Sequence, residues 1–260
     1  MAPFWVGTGW KMNHTRADAA AYAATLRASP LPRAPDLRLF VCPPFTALAT
    51  VVDALGDCPV RVAAQNIHWA AAGAHTGDIS ATMVAECGAT MAELGHSERR
   101  HTIGETDEEI GRKVRAALDA GLIALLCVGE TGLERQAGAA AEANVRQLKL
   151  GLRDVAADEL GRCIVAYEPV WAIGEGGVPC SPADAAAVHG ALRAALKEKA
   201  GGAGTVPPVL YGGSVNLQNC RELAAEPEID GLFIGRAAWR AGGLLAVAEA
   251  ALAVRRAMAG

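Results

Sequence analysis

Residues 105–130 read ETDEEIGRKVRAALDAGLIALLCVGE: an amphipathic stretch from Glu105 to Ala120, a glycine, and an apolar run from Leu122 to Val128 that ends on Gly129-Glu130. Gly121 directly after Ala120 marks a helix stop, because a residue without Cβ takes the left-handed C′ conformation at no steric cost. The run behind it is short, bounded and rich in Leu, Ile and Val, as expected of a strand buried on both faces of a parallel sheet. Helix, turn and buried strand make one step of a β-α alternation.

The same step recurs along the whole chain. Strands are expected at Phe4 to Gly9, Leu37 to Cys42, Val60 to Ala64, Thr90 to Leu94, Leu122 to Val128, Cys163 to Tyr167, Val209 to Tyr211 and Gly231 to Ile234. Helices are expected near Ala17 to Ala28, Thr46 to Leu55, Ala81 to Cys87, Glu105 to Ala120, Leu133 to Leu152, Ala183 to Lys199, Gln218 to Ala224 and Leu244 to Met258. Eight pairs in 260 residues, about 32 each, set the pace of an α/β chain folded as a single (β/α)8 barrel domain over residues 1–260. A doubly wound dinucleotide-binding sheet loses its main support. After Gly7-Thr8-Gly9 the chain continues Trp10-Lys11-Met12, where that fingerprint needs a further small residue opening a helix. Ser181-Pro182 fits an N-cap followed by proline at the first helical position. Gly201-Gly202-Ala203-Gly204 reads as a loop inside the barrel, since units continue on both sides.

Composition narrows the function. Hydrophobic residues at 52% and charged residues at 20% argue against disorder. Lys and Arg number 24 against 28 Asp and Glu, a net charge of −4, so no basic excess serves a nucleic-acid backbone or an anionic membrane. The expected partner is a small molecule. The seven cysteines, Cys42, Cys58, Cys87, Cys127, Cys163, Cys180 and Cys220, stand singly without a C-x-x-C pair, which suits reduced thiols in a cytoplasmic protein. Met1 to Asn13 carries no export signal, and no apolar run is long enough for a membrane anchor.

Barrel enzymes place their chemistry at the carboxyl ends of the strands. Lys11, Gln65-Asn66, His96-Ser97-Glu98, Glu130, Glu168 and Ser214 fall there. Lys, His and Glu from separate strands form a set for moving a proton beside a carbonyl: a cation, a neutral electrophile and a carboxylate base. Glycines able to bring backbone N–H groups close to a phosphate occur in Ile173-Gly174-Glu175-Gly176-Gly177, Tyr211-Gly212-Gly213-Ser214 and Ile234-Gly235-Arg236. No His, Asp or Glu cluster of metal-ligand spacing shows at these ends, so neither a metal nor a cofactor is expected. His14, His68, His75, His101 and His189 read as structural or surface residues, Trp171 as packing, and Cys127 as a core thiol.

The segments Gly9-Trp10-Lys11-Met12-Asn13, Gly95-His96-Ser97-Glu98-Arg99-Arg100, Cys127-Val128-Gly129-Glu130-Thr131, Tyr167 to Gly174 and Tyr211 to Asn216 resemble those of triosephosphate isomerases, in the family's order and over almost the whole chain. The resemblance implies a cofactor-independent aldose-ketose isomerase of a small phosphorylated sugar, working through an enediolate. Glu168 would be the base, His96 the neutral group polarising the carbonyl, Lys11 the cation, and Glu98 the residue orienting them. Pro169 to Gly177 would form a lid, and Gly174, Ser214, Gly235 and Arg236 would bind phosphate. The loop from His68 to Ser80 would insert into a second subunit and place Thr76 beside its Lys11, which makes a homodimer.

Two positions depart from the family pattern. Gly9 stands where the family usually has Asn, a donor expected to touch substrate, and Arg236 stands where a second glycine is usual. The lid reads Glu175-Gly176-Gly177-Val178-Pro179 in place of the usual Thr-Gly-Lys run. With Trp5, Trp69 and Trp239, these changes resemble a branch that isomerises four-carbon ketose phosphates in polyol breakdown. Interconversion of glyceraldehyde 3-phosphate and dihydroxyacetone phosphate, in glycolysis and gluconeogenesis, is the first expectation, because Glu168, His96 and Lys11 are all retained. An erythrulose phosphate isomerase is the second, favoured by Gly9 and Arg236. A barrel that binds a phosphate ligand without turnover is the third.

Overall fold

Side chains alternate along a strand, so each strand of a closed barrel sends one set inward and the other toward the helices. In the computed structural model, which describes residues 2–174, 176–202 and 204–259, the strands are all parallel and close in chain order. They are β1 (Phe4–Gly9), β2 (Leu37–Cys42), β3 (Arg61–Ala64), β4 (Met91–Leu94), β5 (Ile123–Val128), β6 (Cys163–Tyr167), β7 (Val209–Tyr211) and β8 (Gly231–Ile234). Closure pairs β1 with β8, Trp5 facing Gly231 and Thr8 facing Ile234. All eight expected strands are present. β3, β4 and β5 each begin one residue later than expected. At β5 the Leu122 N–H is taken by the Ala117 carbonyl at 2.9 Å, which keeps that residue with the preceding helix.

The helices are α1 (Arg16–Ala28), α2 (Leu48–Leu55), α3 (Ala81–Glu86), α4 (Asp107–Asp119), α5 (Gly132–Gln136), α6 (Ala140–Gly151), α7 (Pro182–Ala200), α8 (Cys220–Ala225) and α9 (Ala241–Ala257). The single helix expected from Leu133 to Leu152 is two, α5 and α6. Gly138 takes φ +72 between them, and the Ala139 N–H bonds back to Glu134 O at 2.9 Å. The α8 start moves from Gln218 to Cys220 because the Asn216 carboxamide oxygen accepts from the Gln218 and Asn219 N–H groups, holding a turn there. Residues 45–47 form one 3-10 turn, so the helix expected from Thr46 begins as α2 at Leu48. The Ser181 cap is present, its hydroxyl accepting from the Asp184 N–H with Pro182 at the first helical position. Gly201, with φ +61, ends α7, and Ala203 in the same loop lies outside the described residues.

One apolar cluster fills the barrel itself, including Phe40, Met91, Leu125, Ile164, Leu210 and Phe233. A larger one lies between barrel and helices. Gly7 is required by the inner cluster, since a Cβ there would stand 2.1 Å from Phe40 Cζ. All seven cysteines are free thiols, and only Cys87 is other than buried. Among the described residues no helix is long and apolar enough to cross a membrane.

Candidate active site

Each strand end presents its side chain through a specific local device. Behind β1, Lys11 takes φ +52, a left-handed conformation that costs a non-glycine residue about 1–3 kcal/mol. Gln65 holds it there, its Nε2 donating to Lys11 O at 3.0 Å and to Cys42 O at 2.8 Å. The Lys11 ammonium donates to Glu98 Oε1 at 2.6 Å.

Behind β4, Gly95 turns the chain at φ +74, and Arg100 ties the turn down by donating to Gly95 O at 2.7 Å and Cys127 O at 3.0 Å. Lys113, buried, bonds Asn66 Oδ1 at 2.9 Å and Glu105 Oε1 at 2.5 Å on the same side. On this support the Glu98 N–H donates to His96 Nδ1 at 3.1 Å. A ring nitrogen that accepts cannot carry the proton, so the imidazole proton sits on Nε2. That nitrogen lies 3.6 Å from Glu168 Oε1.

Glu168, behind β6, is buried, and its Oε2 accepts from the Ser97 N–H at 3.3 Å. Two glycines make room for it. A Cβ on Gly129 would stand 1.9 Å from Glu168 O, and one on Gly212 would stand 2.9 Å from Glu168 Cγ. Both lie in segments where the sequence placed strand-end glycines or acids.

These groups open into one cavity of about 510 Å³. Gly9, Lys11, His96, Glu98, Glu168, Gly174, Ser214, Gly235 and Arg236 all line it. Trp239 Nε1 donates to Gly9 O at 3.1 Å, joining the loop after β8 to the end of β1. The turn after β7 is fixed by Asn219 Nδ2 on Ser214 O at 2.7 Å. Thr76 does not line the cavity; it is exposed in the loop that the His68–Ser80 bridge closes.

Trp171 does more than pack. Its indole N–H donates to Glu130 Oε1 at 2.7 Å, and the same buried carboxylate accepts from Tyr167 OH at 3.0 Å and Asn144 Nδ2 at 2.8 Å. The Glu130 carboxylate thereby anchors the start of the expected lid, while Val178 N–H closes its base on Trp171 O at 3.2 Å. Glu175 of that segment lies outside the described residues. Cys127 is a core thiol as expected: burial, and then the charge of Glu168, pushes it well above the ordinary thiol range. His189 is likewise structural, buried and brought down to about 3 by desolvation.

The sequence reading missed Glu93. Period two along β4 points Met91 and Glu93 into the barrel and Ala92 and Leu94 toward the helices. The signal was there: an acid at an inward position of an otherwise apolar strand. Glu93 is 4% exposed, and burial pushes its carboxyl up to about 7. Ligating atoms of Glu93, His96 and Glu168 lie within 4.8 Å of one another. The expectation that no such cluster forms at the strand ends is therefore corrected, because the closed barrel brings together groups that linear spacing keeps apart. His68, His75 and Asp78 form a second cluster in the 68–80 loop, the two imidazoles 3.9 Å apart, so these histidines are not isolated surface residues.

The triosephosphate isomerase family model matches residues 4–251. An L-erythrulose-1-phosphate isomerase of Brucella abortus biovar 1 (strain 9-941) is 48% identical over 250 residues, covering 94% of this chain and 95% of that protein. One of Mesorhizobium japonicum is 49% identical over 245 residues, covering 93% and 94%. Among solved structures, triosephosphate isomerase from Bartonella henselae superposes with a TM-score of 0.83 at 35% identity, covering 95% of this chain and 98% of that one. The chain is an isomerase and belongs to the triosephosphate isomerase family.

Proposed function

We propose that the chain isomerises L-erythrulose 1-phosphate, exchanging its carbonyl with the hydroxyl of the adjacent carbon. The observation that carries this reading is the 48% identity to proteins bearing that name, against 35% to a solved triosephosphate isomerase. It displaces the triose phosphate that the sequence reading put first. Gly9 and Arg236 on the cavity wall support it in physical terms, since they change the space and charge around a substrate while Glu168, His96 and Lys11 are all retained.

The reaction needs one base and one electrophile. Glu168 takes the proton from C3, next to the C2 carbonyl. His96 Nε2–H donates to the carbonyl oxygen as the enediolate forms, and the Lys11 ammonium stabilises its charge. Glu168 returns the proton at C2, while Nε2 recovers one from the C3 oxygen, which becomes the new carbonyl. No atom is gained or lost, and neither metal nor cofactor takes part. Glu98 orients the site through its two contacts, the Lys11 ammonium and the His96 ring. Gly174, Ser214, Gly235 and Arg236 hold the phosphate on the opposite wall, and the segment from Pro169 to Gly177 closes over it.

The active species is a cytoplasmic homodimer in which Thr76 sits beside the partner's Lys11. Support comes from the exposed 71–78 stretch of the loop and from Met12, 97% exposed beside Lys11. Turnover of L-erythrulose 1-phosphate against dihydroxyacetone phosphate tests the substrate assignment. Bound sugar phosphate with no solvent proton exchange in D₂O would leave the barrel a binding protein.

A further inference from the structure

Glu93 is a buried acid inside the barrel mouth that the reaction above does not use. Its Oε2 has no hydrogen-bond partner among the described residues. The titratable groups around it are Lys11 after β1, Cys42 on β2, His96 after β4, Cys127 on β5 and Glu168 after β6. An apolar side chain in that place would avoid the desolvation of an unmatched carboxyl, so packing gives no reason for the residue.

Gly9 connects it to the cavity. A Cβ on Gly9 would stand 3.7 Å from each Glu93 carboxylate oxygen and 3.3 Å from Phe233 Cζ. Gly9 and Phe233 line the cavity, and Glu93 lies behind them. A side chain at position 9 would pack against the carboxyl and the Phe233 ring; glycine puts none there.

The four-carbon substrate differs from a triose phosphate by one hydroxymethyl group on the reacting carbon, at the end away from the phosphate. With phosphate at the ends of β6 to β8 and the reacting carbons between Glu168 and His96, that group extends toward β1 and β4. We propose that Glu93 is a specificity-determining residue whose carboxylate accepts a hydrogen bond from this terminal hydroxyl on the side where Gly9 carries no side chain. The inference rests on the tetrulose reading above. A buried acceptor that only the correct substrate satisfies discriminates more strongly than shape does, because the shorter substrate leaves it unpaired.

The test compares kcat/KM on L-erythrulose 1-phosphate and on dihydroxyacetone phosphate for the wild type, Glu93→Gln, Glu93→Leu and Gly9→Ala. Glu93→Leu is expected to lower the four-carbon to three-carbon ratio by about 100-fold, chiefly through KM on the larger substrate. Glu93→Gln, nearly isosteric and still an acceptor through its amide oxygen, lowers it less. Gly9→Ala lowers it with Glu93 in place. Glu93→Leu also melts no lower than the wild type, which a structural role for the acid would not allow. An unchanged ratio in both Glu93 variants overturns the inference and leaves the tetrulose reading standing. A wild type that turns over the triose but not the tetrulose overturns that reading and the inference with it.

Discussion

The backbone N–H of Glu98 donates to Nδ1 of His96 at 3.1 Å, so the strand-end turn itself decides which imidazole nitrogen carries the proton. Nε2–H is then left facing Glu168 Oε1 at 3.6 Å. Because the donor is main chain, Glu98→Ala keeps the tautomer while releasing Lys11 from its 2.6 Å contact. ¹⁵N chemical shifts of His96 should report Nε2–H in both the wild type and Glu98→Ala, with kcat lower in the variant by about tenfold. An Nδ1–H tautomer in the wild type contradicts the assignment of His96 as donor.

Glu168→Gln preserves shape and removes the carboxylate proposed as the base. Its kcat is expected to fall by about 10³-fold or more, with affinity for a non-reacting sugar phosphate within a few-fold of the wild type. Near-normal kcat in that variant would refute the assignment.

The Glu93 carboxyl rises from its ordinary 4.5 to about 7 because burial disfavours the charged form, with His96, Cys42 and Lys11 lowering it and Glu168 raising it. A raised acid binds its proton more tightly in the folded state than in the unfolded one. Its contribution is therefore complete below pH 4.5 and declines as pH rises to about 7, by about 3 kcal/mol in all. Glu93→Gln should melt close to the wild type at pH 4.5 and above it at pH 8. Equal melting differences at both pH values would mean that folding leaves the carboxyl at its ordinary value.

Arg236 is exposed on the cavity wall, at the end of β8. On the proposed reading, Arg236→Gly removes a charge that would strengthen hydrogen bonds to phosphate. KM is expected to rise about tenfold on phosphorylated substrates, with a changed preference between three and four carbons. An unchanged preference removes Arg236 from selectivity and leaves Gly9 and Glu93 to carry it.

The barrel was legible in the sequence because its strands are short uninterrupted apolar runs, and glycines such as Gly121 mark the helix ends. The break between α5 and α6 was not, since apolar and Ala residues continue in helical spacing through Gly138. Lys11, His96 and Glu168 were found by asking what stands at strand ends. Glu93 escaped that filter by lying one pleat inside β4, where only the inward-outward alternation exposes a misplaced charge. Trp171 was undervalued because its Glu130 partner lies 41 residues away, on a strand end that only the closed barrel brings near.

On the proposed reading, this barrel runs enediolate chemistry on a four-carbon ketose phosphate. The most direct measurement is kcat/KM on L-erythrulose 1-phosphate and on glyceraldehyde 3-phosphate, with one preparation freed of host isomerase. A preference of at least about 100-fold for the tetrulose phosphate is the predicted result. Triose turnover near the diffusional ceiling of about 10⁸ M⁻¹s⁻¹ with the four-carbon substrate poorly used would contradict it.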